Sequence, residues 1–330
     1  MKNRGCTLQP LYPHPQLKRY NKEDRVLRKK TKILGILILV PSIVAIAIFV
    51  YGFISWTFKV STSDWNSFSK LARGVYRFVG FRNYERLFMD KRFITDLWNL
   101  LFFTVMFMFG SIALGLILAL LVDRGVKGSR IFQTIFLYPM AVAFVVTGTV
   151  WGWIFNPGII PDSPAGINLL LKSIGLENLM WKWYISTEHI GPFNLALIPV
   201  AIAAIWQMSG YVMALYLAGL RGIPQSIIEA AKVDGASSWK MFWKVKIPML
   251  KPITLSAMII LGHISLKVFD LVYAMTGSGP NNVTDMPSIY MFELTFRSNR
   301  YALGSAISIL MLLAVAVVII PYLVSAFRKE

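Results

Sequence analysis

What this chain has little of narrows its function before anything it contains. Cysteine occurs once, at Cys6, which rules out an intrachain disulfide and argues against a thiolate metal site. No H-E-x-x-H pair, no histidine-rich face and no pair of aspartates within an apolar run is present, so the acid, base or metal cluster of an integral membrane enzyme is missing. No G-x-x-x-x-G-K-[ST] segment exists to cradle phosphates, so the chain is not itself a P-loop ATPase. There is no repeat at a period of about 20 to 50 residues, nor an inverted duplication of the halves, which disfavours an ion-coupled secondary transporter. Charge is also scarce. Asp, Glu, Lys and Arg make up 15% of the residues against 56% hydrophobic ones, too few to coat a water-soluble surface without large apolar patches.

Lipid is therefore the solvent for most of the chain, and a spanning helix needs about 20 apolar residues. Six runs meet that length, at Ile33 to Trp56, Leu97 to Val122, Ile131 to Phe155, Phe193 to Gly219, Ile253 to Met275 and Ala302 to Phe327. Six crossings return both termini to one side. Placing that side in the cytoplasm puts 21 Lys and Arg inside and 12 in the outer loops, the asymmetry that insertion favours. The expected organisation is a basic cytoplasmic tail over 1–32, an all-α polytopic domain of six transmembrane helices over 33–327, and a cytoplasmic end at 328–330. The tail is too polar, and the first apolar run too long, for a cleaved signal peptide. The net charge of +18 flanks the apolar runs and is not gathered on one face, so it reads as a topology signal with affinity for anionic lipid and not as a nucleic-acid site.

A charged, glycine-punctuated insert lies between the fourth and fifth runs, over 224–252. Ser226 and Glu229 match a capping box, which predicts a short helix starting near Ser226. Gly235 is placed to end it in a left-handed cap, Ser237 or Ser238 to start a second helix through Trp239, Phe242 and Trp243, and Pro248 and Pro252 to stop it. Two readings fit this helix-turn-helix. Its tryptophans and lysines suit a hairpin lying among lipid head groups. Its first helix, with small Ala230, Ala231 and Ala236 beside acidic Glu229 and Asp234, equally suits a narrow ridge that enters a groove on a soluble partner.

Polar groups inside apolar runs are costly and mark pathways or buried pairs. In the fifth run His263, Lys267 and Asp270 are spaced to share one helical face, with Ser265 nearby and Lys267 and Asp270 close enough in sequence to pair. They read as an ion pair fixing the helix, or as a polar wall around sugar hydroxyls. As a proton relay they would instead serve a secondary transporter, which leaves the capped loop helix unexplained. Gln207, Ser209 and Tyr211 in the fourth run suit a sugar, whose hydroxyls seek amides and phenols, and suit helix–helix contacts as well.

The segment from Glu229 resembles the EAA loop of binding-protein-dependent ABC importer permeases: Glu229, Ala230, Ala231 and Gly235 match in register, while the closing Lys246-Ile247-Pro248 falls about two residues early. FRNYERLF, WGWIFNPGII followed by INLL, LAGLRGIP and FDLVYAMTGSGP occur in the order found in sugar-type permeases, and the resemblance covers roughly Leu34 to Pro321. It implies a type I, maltose-permease-like transmembrane domain with no enzymatic activity of its own. The implied partners are a second permease subunit forming a heterodimer, two cytosolic ATPase subunits and an extracytoplasmic solute-binding protein. ATP would be bound by the ATPase partner, so no cofactor is expected on this chain. By position, the resemblance carries sugar contacts onto Gln207, Met208 and Tyr211, and ATPase coupling onto Glu229, Ala230, Ala231, Asp234, Gly235 and Ala236. FLYPMAVAFVVTGTVW and HISLKVFDLVYAMTGSGP resemble the glucose/mannose branch; glucosides, disaccharides and non-sugar solutes stay open.

Overall fold

The computed structural model describes residues 36–73, 77–125 and 128–327. The basic tail 1–32, with Cys6, and the C-terminal residues 328–330 lie outside the described residues. The chain divides into two units, one ending at Trp56 and the other starting at Thr57. Helix α1, Ile36–Ser61, is apolar along its length and carries a π turn at Ala47–Gly52. None of its most apolar stretch is buried. A helix apolar all round must be covered by lipid or by another protein.

At the centre of the second unit α2, Lys91–Asp123, packs along α5, Leu197–Arg221. On α2 the buried residues Phe103, Phe107, Ser111, Gly115 and Ala119 recur every fourth position, forming one stripe that narrows from large to small side chains. Facing the glycines of α2 on α5 are larger side chains, Ile205 against Gly110 and Val212 against Gly115. The small residues set the distance: a Cβ on Gly115 would lie 2.6 Å from Val212 Cγ1, and one on Gly210 would lie 1.8 Å from the Phe136 carbonyl oxygen. Between helices in lipid there is little hydrophobic gain, so close van der Waals contact of this kind supplies the association.

Two of the six apolar runs are not straight rods. The third is a pair, α3 (Ser129–Ala141) and α4 (Phe144–Ile154), bent by 99° across an extended Val142 and Ala143. The fifth starts far upstream as part of α7, Ser238–Leu266, and breaks at Lys267 to Phe269 before a short α8, Asp270–Met275. α8 lies against α4 at Gly148, where a Cβ would come within 2.5 Å of the Leu271 carbonyl. The two interrupted spans therefore meet each other. After α8 come a turn at 276–286, α9 (Pro287–Phe292) running into a π turn at Glu293–Arg297, and α10, Tyr301–Phe327.

Other boundaries also move from their expected places. α2 starts at Lys91, not Leu97, because Asp90 caps it by accepting from the Arg92 amide at 2.9 Å and the polar residues of its first turns are buried in the protein. Phe193 and Asn194 belong to a two-residue ribbon with His189 and Ile190, so the fourth span begins at Leu197.

Candidate functional site

The charged loop folds as a helix, a tight turn and a second helix. α6, Gln225–Val233, follows Pro224, whose extended backbone sets its start. The capping box expected of Ser226 and Glu229 does not form. Pro224 takes the cap position, so Ser226 already lies inside the first turn and makes no capping hydrogen bond. The far end is a full Schellman closure: Gly235 stands at φ +73°, its N–H donates to the Lys232 carbonyl at 3.0 Å, and the Ala236 N–H donates to the Ala231 carbonyl at 3.0 Å. Ser237 then caps the next helix by accepting from the Lys240 amide.

Pro248 and Pro252 do not stop that helix, contrary to the sequence expectation. A π turn at Phe242–Lys246 widens the ladder just before Pro248, so the proline falls where the regular pattern is already interrupted, and α7 runs on to Leu266. The second loop helix and the fifth span are thus one rod. A continuous helix therefore connects Trp239 to the break at Lys267.

Glu229, Ala230, Asp234 and Gly235 are exposed, and Ala231 and Ala236 are half-buried. All six coupling candidates therefore lie together on a short projecting helix and its turn. Ile228 anchors the other side of α6 against the apolar core. Trp239 and Trp243 are also exposed, edge to face at 5.6 Å, beside a cavity of about 780 Å³ floored by Leu120 and Met241. Lys246 pairs with Asp123 at 3.7 Å, tying α7 to the end of α2.

The pathway candidates are less united. Gln207 is buried, and its amide nitrogen donates to the Val142 carbonyl at 2.7 Å, so it satisfies a backbone group freed by the α3–α4 bend. Its Oε1 has no hydrogen-bond partner among the described residues. Met208 is buried and Tyr211 half-buried on the same helix. His263 is half-buried with Nδ1 unpartnered, and Ser265 is buried with its hydroxyl donating to the Gly262 carbonyl at 2.9 Å. Lys267 and Asp270 are exposed, and the helical face expected to join them to His263 is not continuous, because α7 ends at Leu266 and Phe269 leaves helical geometry. No ion pair links Lys267 to Asp270 among the described residues. The cause is that the break gives Lys267 and Asp270 to different helices.

A polar network at the opposite end of α2 escaped the sequence reading. Arg92 bonds Asp285 through Nε and Glu293 through a terminal nitrogen, each at 2.6 Å, and lies 4.4 Å from the Tyr290 ring. Asn99 donates to the Asp285 carbonyl at 2.9 Å and accepts from Asn194 at 2.8 Å. Ser288 donates to the Val268 carbonyl, closing the backbone at the α7–α8 break. The available signal was the i, i+4, i+7 spacing of Arg92, Asp96 and Asn99, which places three polar residues on one helical face.

A continuous helix from an exposed small-residue ridge to a broken span, packed with a second broken span, marks a polytopic membrane protein whose interior is interrupted where two spans meet. Residues 111–329 match the family described as binding-protein-dependent transport system inner membrane component. This chain belongs to that family of transport components: it is a membrane permease and not an enzyme. It is 39% identical over 298 residues to a probable ABC transporter permease protein of Pyrococcus horikoshii, covering 89% of this chain and 96% of that one. It is 32% identical over 309 residues to the trehalose/maltose transport system permease protein MalF of Thermococcus litoralis, covering 92% and 97%. A bacterial alginate ABC transporter, solved with an alginate pentasaccharide-bound periplasmic protein, has the same fold, with a TM-score of 0.71 at 22% identity over 88% of this chain and 93% of that one.

Proposed function

We propose that this chain is a permease subunit of a sugar importer, pairing with a second permease and coupled through α6 to two cytosolic ATPase subunits that bind the ATP. The observation that carries this is the exposed α6 ridge, ended at Gly235 and joined through α7 to the break at Lys267. In this reading the insert and both termini face the cytoplasm, in keeping with the distribution of Lys and Arg. A loaded binding protein docks on the opposite face, where the ordered segments 156–196 and 276–300 stand. Closure of the ATPase pair pushes α6, and α7 carries the push to the two interrupted spans, whose meeting at Gly148 changes access to the pathway.

Sugar is favoured by the residues available near that path. The half-buried Tyr211 phenol offers a donor and an acceptor for hydroxyls, while Gln207 Oε1 and His263 Nδ1, buried and without a hydrogen-bond partner among the described residues, come within reach of a sugar only when the spans move. The trehalose/maltose relative agrees in class of cargo, and a glucose- or mannose-type hexose or a glucoside fits the same groups.

The test is ATP hydrolysis and sugar uptake by the reconstituted four-part complex with loaded binding protein, comparing wild type with Glu229→Lys and Gly235→Val. Both variants are expected to lower stimulated hydrolysis, or uptake per ATP, by about tenfold or more, the scale of losing a coupling contact worth about 1.4 kcal/mol. Retained helical content and co-purification of the second permease show that the membrane part is intact. Unchanged assembly, hydrolysis and uptake in both variants would leave α6 a head-group hairpin and end the coupling argument.

A further inference from the structure

The end of α2 remote from the insert holds more carboxylates than its cation balances. Arg92 serves Asp285 and Glu293, and Asp90 accepts from the Tyr290 hydroxyl at 2.5 Å. Asp96 lies one turn beyond Arg92 on the same face of α2 and is wholly buried. Neither of its carboxyl oxygens has a hydrogen-bond donor among the described residues. Asp285, also wholly buried, packs on the same face of α2, its carboxylate on Arg92 at 2.6 Å and its carbonyl on Asn99 at 2.9 Å, one turn to either side of Asp96. Two carboxylates packed together repel strongly when both are ionised, and Asp96, which no donor supports among the described residues, would also bear the cost of an unpaired buried charge.

We propose that Asp96 and Asp285 form a proton-binding site, in which Asp96 is a carboxylic acid whose O–H donates to the Asp285 carboxylate. The donors decide which residue keeps the proton. Asp285 accepts from Arg92 at 2.6 Å and from the Met286 amide at 3.0 Å, so its negative charge is supported from two sides. Asp96 has neither kind of support, and as an acid it supplies the hydrogen bond that both residues lack. A bound metal is the poorer occupant, since no group of three potential ligands converges here among the described residues and Arg92 already fills the cationic place.

The titratable groups facing the pair are Asp90 and Arg92 on α2, and Tyr290 and Glu293 on α9 and the turn after it. Burial leaves the Asp285 carboxyl above its ordinary range in spite of the Arg92 contact, and burial likewise raises the Tyr290 phenol, which stays neutral. The proton joins α2 to the turn at 276–286. That turn leads directly to Ser288, which closes the α7–α8 break. A carboxyl site whose affinity for protons is raised by folding stabilises the fold at low pH, and that stability is lost as pH rises from the unfolded carboxyl's range through the folded value.

The experiment is infrared spectroscopy of the assembled complex in lipid nanodiscs, wild type against Asp96→Asn, with thermal unfolding followed over pH. At neutral pH the wild type is expected to show a protonated-carboxyl C=O band that shifts in D2O and is absent from the variant. Asp96→Asn, neutral and able to donate its amide to Asp285, should keep uptake within about twofold of wild type and lose the alkaline fall in thermal midpoint. Asp285→Asn is the control should the first variant not assemble. The amide introduced there can donate to Asp96, so Asp96 ionises and the band disappears again. Identical spectra of wild type and a folded variant would overturn the proposal. So would a wild-type midpoint that rises with added sodium or calcium and a variant that ignores both, since the site would then hold a metal cation. Band and midpoint are read without cargo, so either result stands apart from the importer reading.

Discussion

Gly210 and Gly235 show two separate reasons for a residue to have no side chain. At Gly210 the reason is distance, because an added Cβ would sit 1.8 Å from the Phe136 carbonyl, a backbone atom that cannot swing aside. Gly210→Ala should therefore force α5 away from α3 and cost more than the roughly 1–3 kcal/mol usual for overpacking. A thermal midpoint equal to wild type would contradict this. At Gly235 there is open space around the position, and the constraint is φ +73° alone. Gly235→Asn, which tolerates the left-handed region, should keep coupling, while Gly235→Val should lose it with the bundle still assembled. Equal coupled uptake in the two variants would mean that the Schellman turn is dispensable. At this scale the sequence was partly legible. Gly235 follows from the register of a helix end, whereas Gly210 depends on which helix crosses it, and nothing local records that.

The elements carry the same division. The first, second, fourth and sixth spans could be placed from apolar length to within about six residues among the described residues, because a helix in lipid must satisfy its own backbone and so declares itself by composition. The two breaks could not. Lys267 and Asp270 mark the second break as polar and Pro139 stands just ahead of the first, but the same residues suit an ion pair or a mild kink in a continuous helix, and the freed backbone groups are satisfied from distant positions: Val142 by Gln207, and Val268 by Ser288. Ser288→Ala tests this directly. It leaves a buried carbonyl without its donor, for which the cost is about 1–3 kcal/mol, and Ser288→Thr should restore most of the loss. Unfolding midpoints that do not separate alanine from threonine would show that the α7–α8 break is held by packing alone. The loop that joins the fourth and fifth spans was legible as helix, turn and helix, but its outer limit was not. Two prolines usually end a helix, and the π turn just before Pro248 leaves no mark in the residues, while Pro252 stands within the regular helix beyond it.

For the whole molecule the coupling argument requires a direction, with α6 in the cytoplasm where ATP is. The distribution of Lys and Arg, 21 against 12, supports that direction, although the basic segment ahead of α2 places several of the 12 on the other side. Arg92 explains part of that exception, since it is committed to Asp285 and Glu293 within the fold and was never free to act as a topology signal. The chain itself supplies the probe. Cys6 is the sole thiol and lies in the tail on the same side as α6 if six spans are crossed. In sealed, right-side-out vesicles a membrane-impermeant maleimide should leave Cys6 unmodified until the vesicles are opened. A Thr187→Cys variant in a Cys6→Ser background should instead react at once, since Thr187 is exposed in the ordered segment between α4 and α5. The reverse pattern would put α6 outside, beyond reach of ATP, and the rod from α6 to the broken spans would have to be driven by something other than an ATPase.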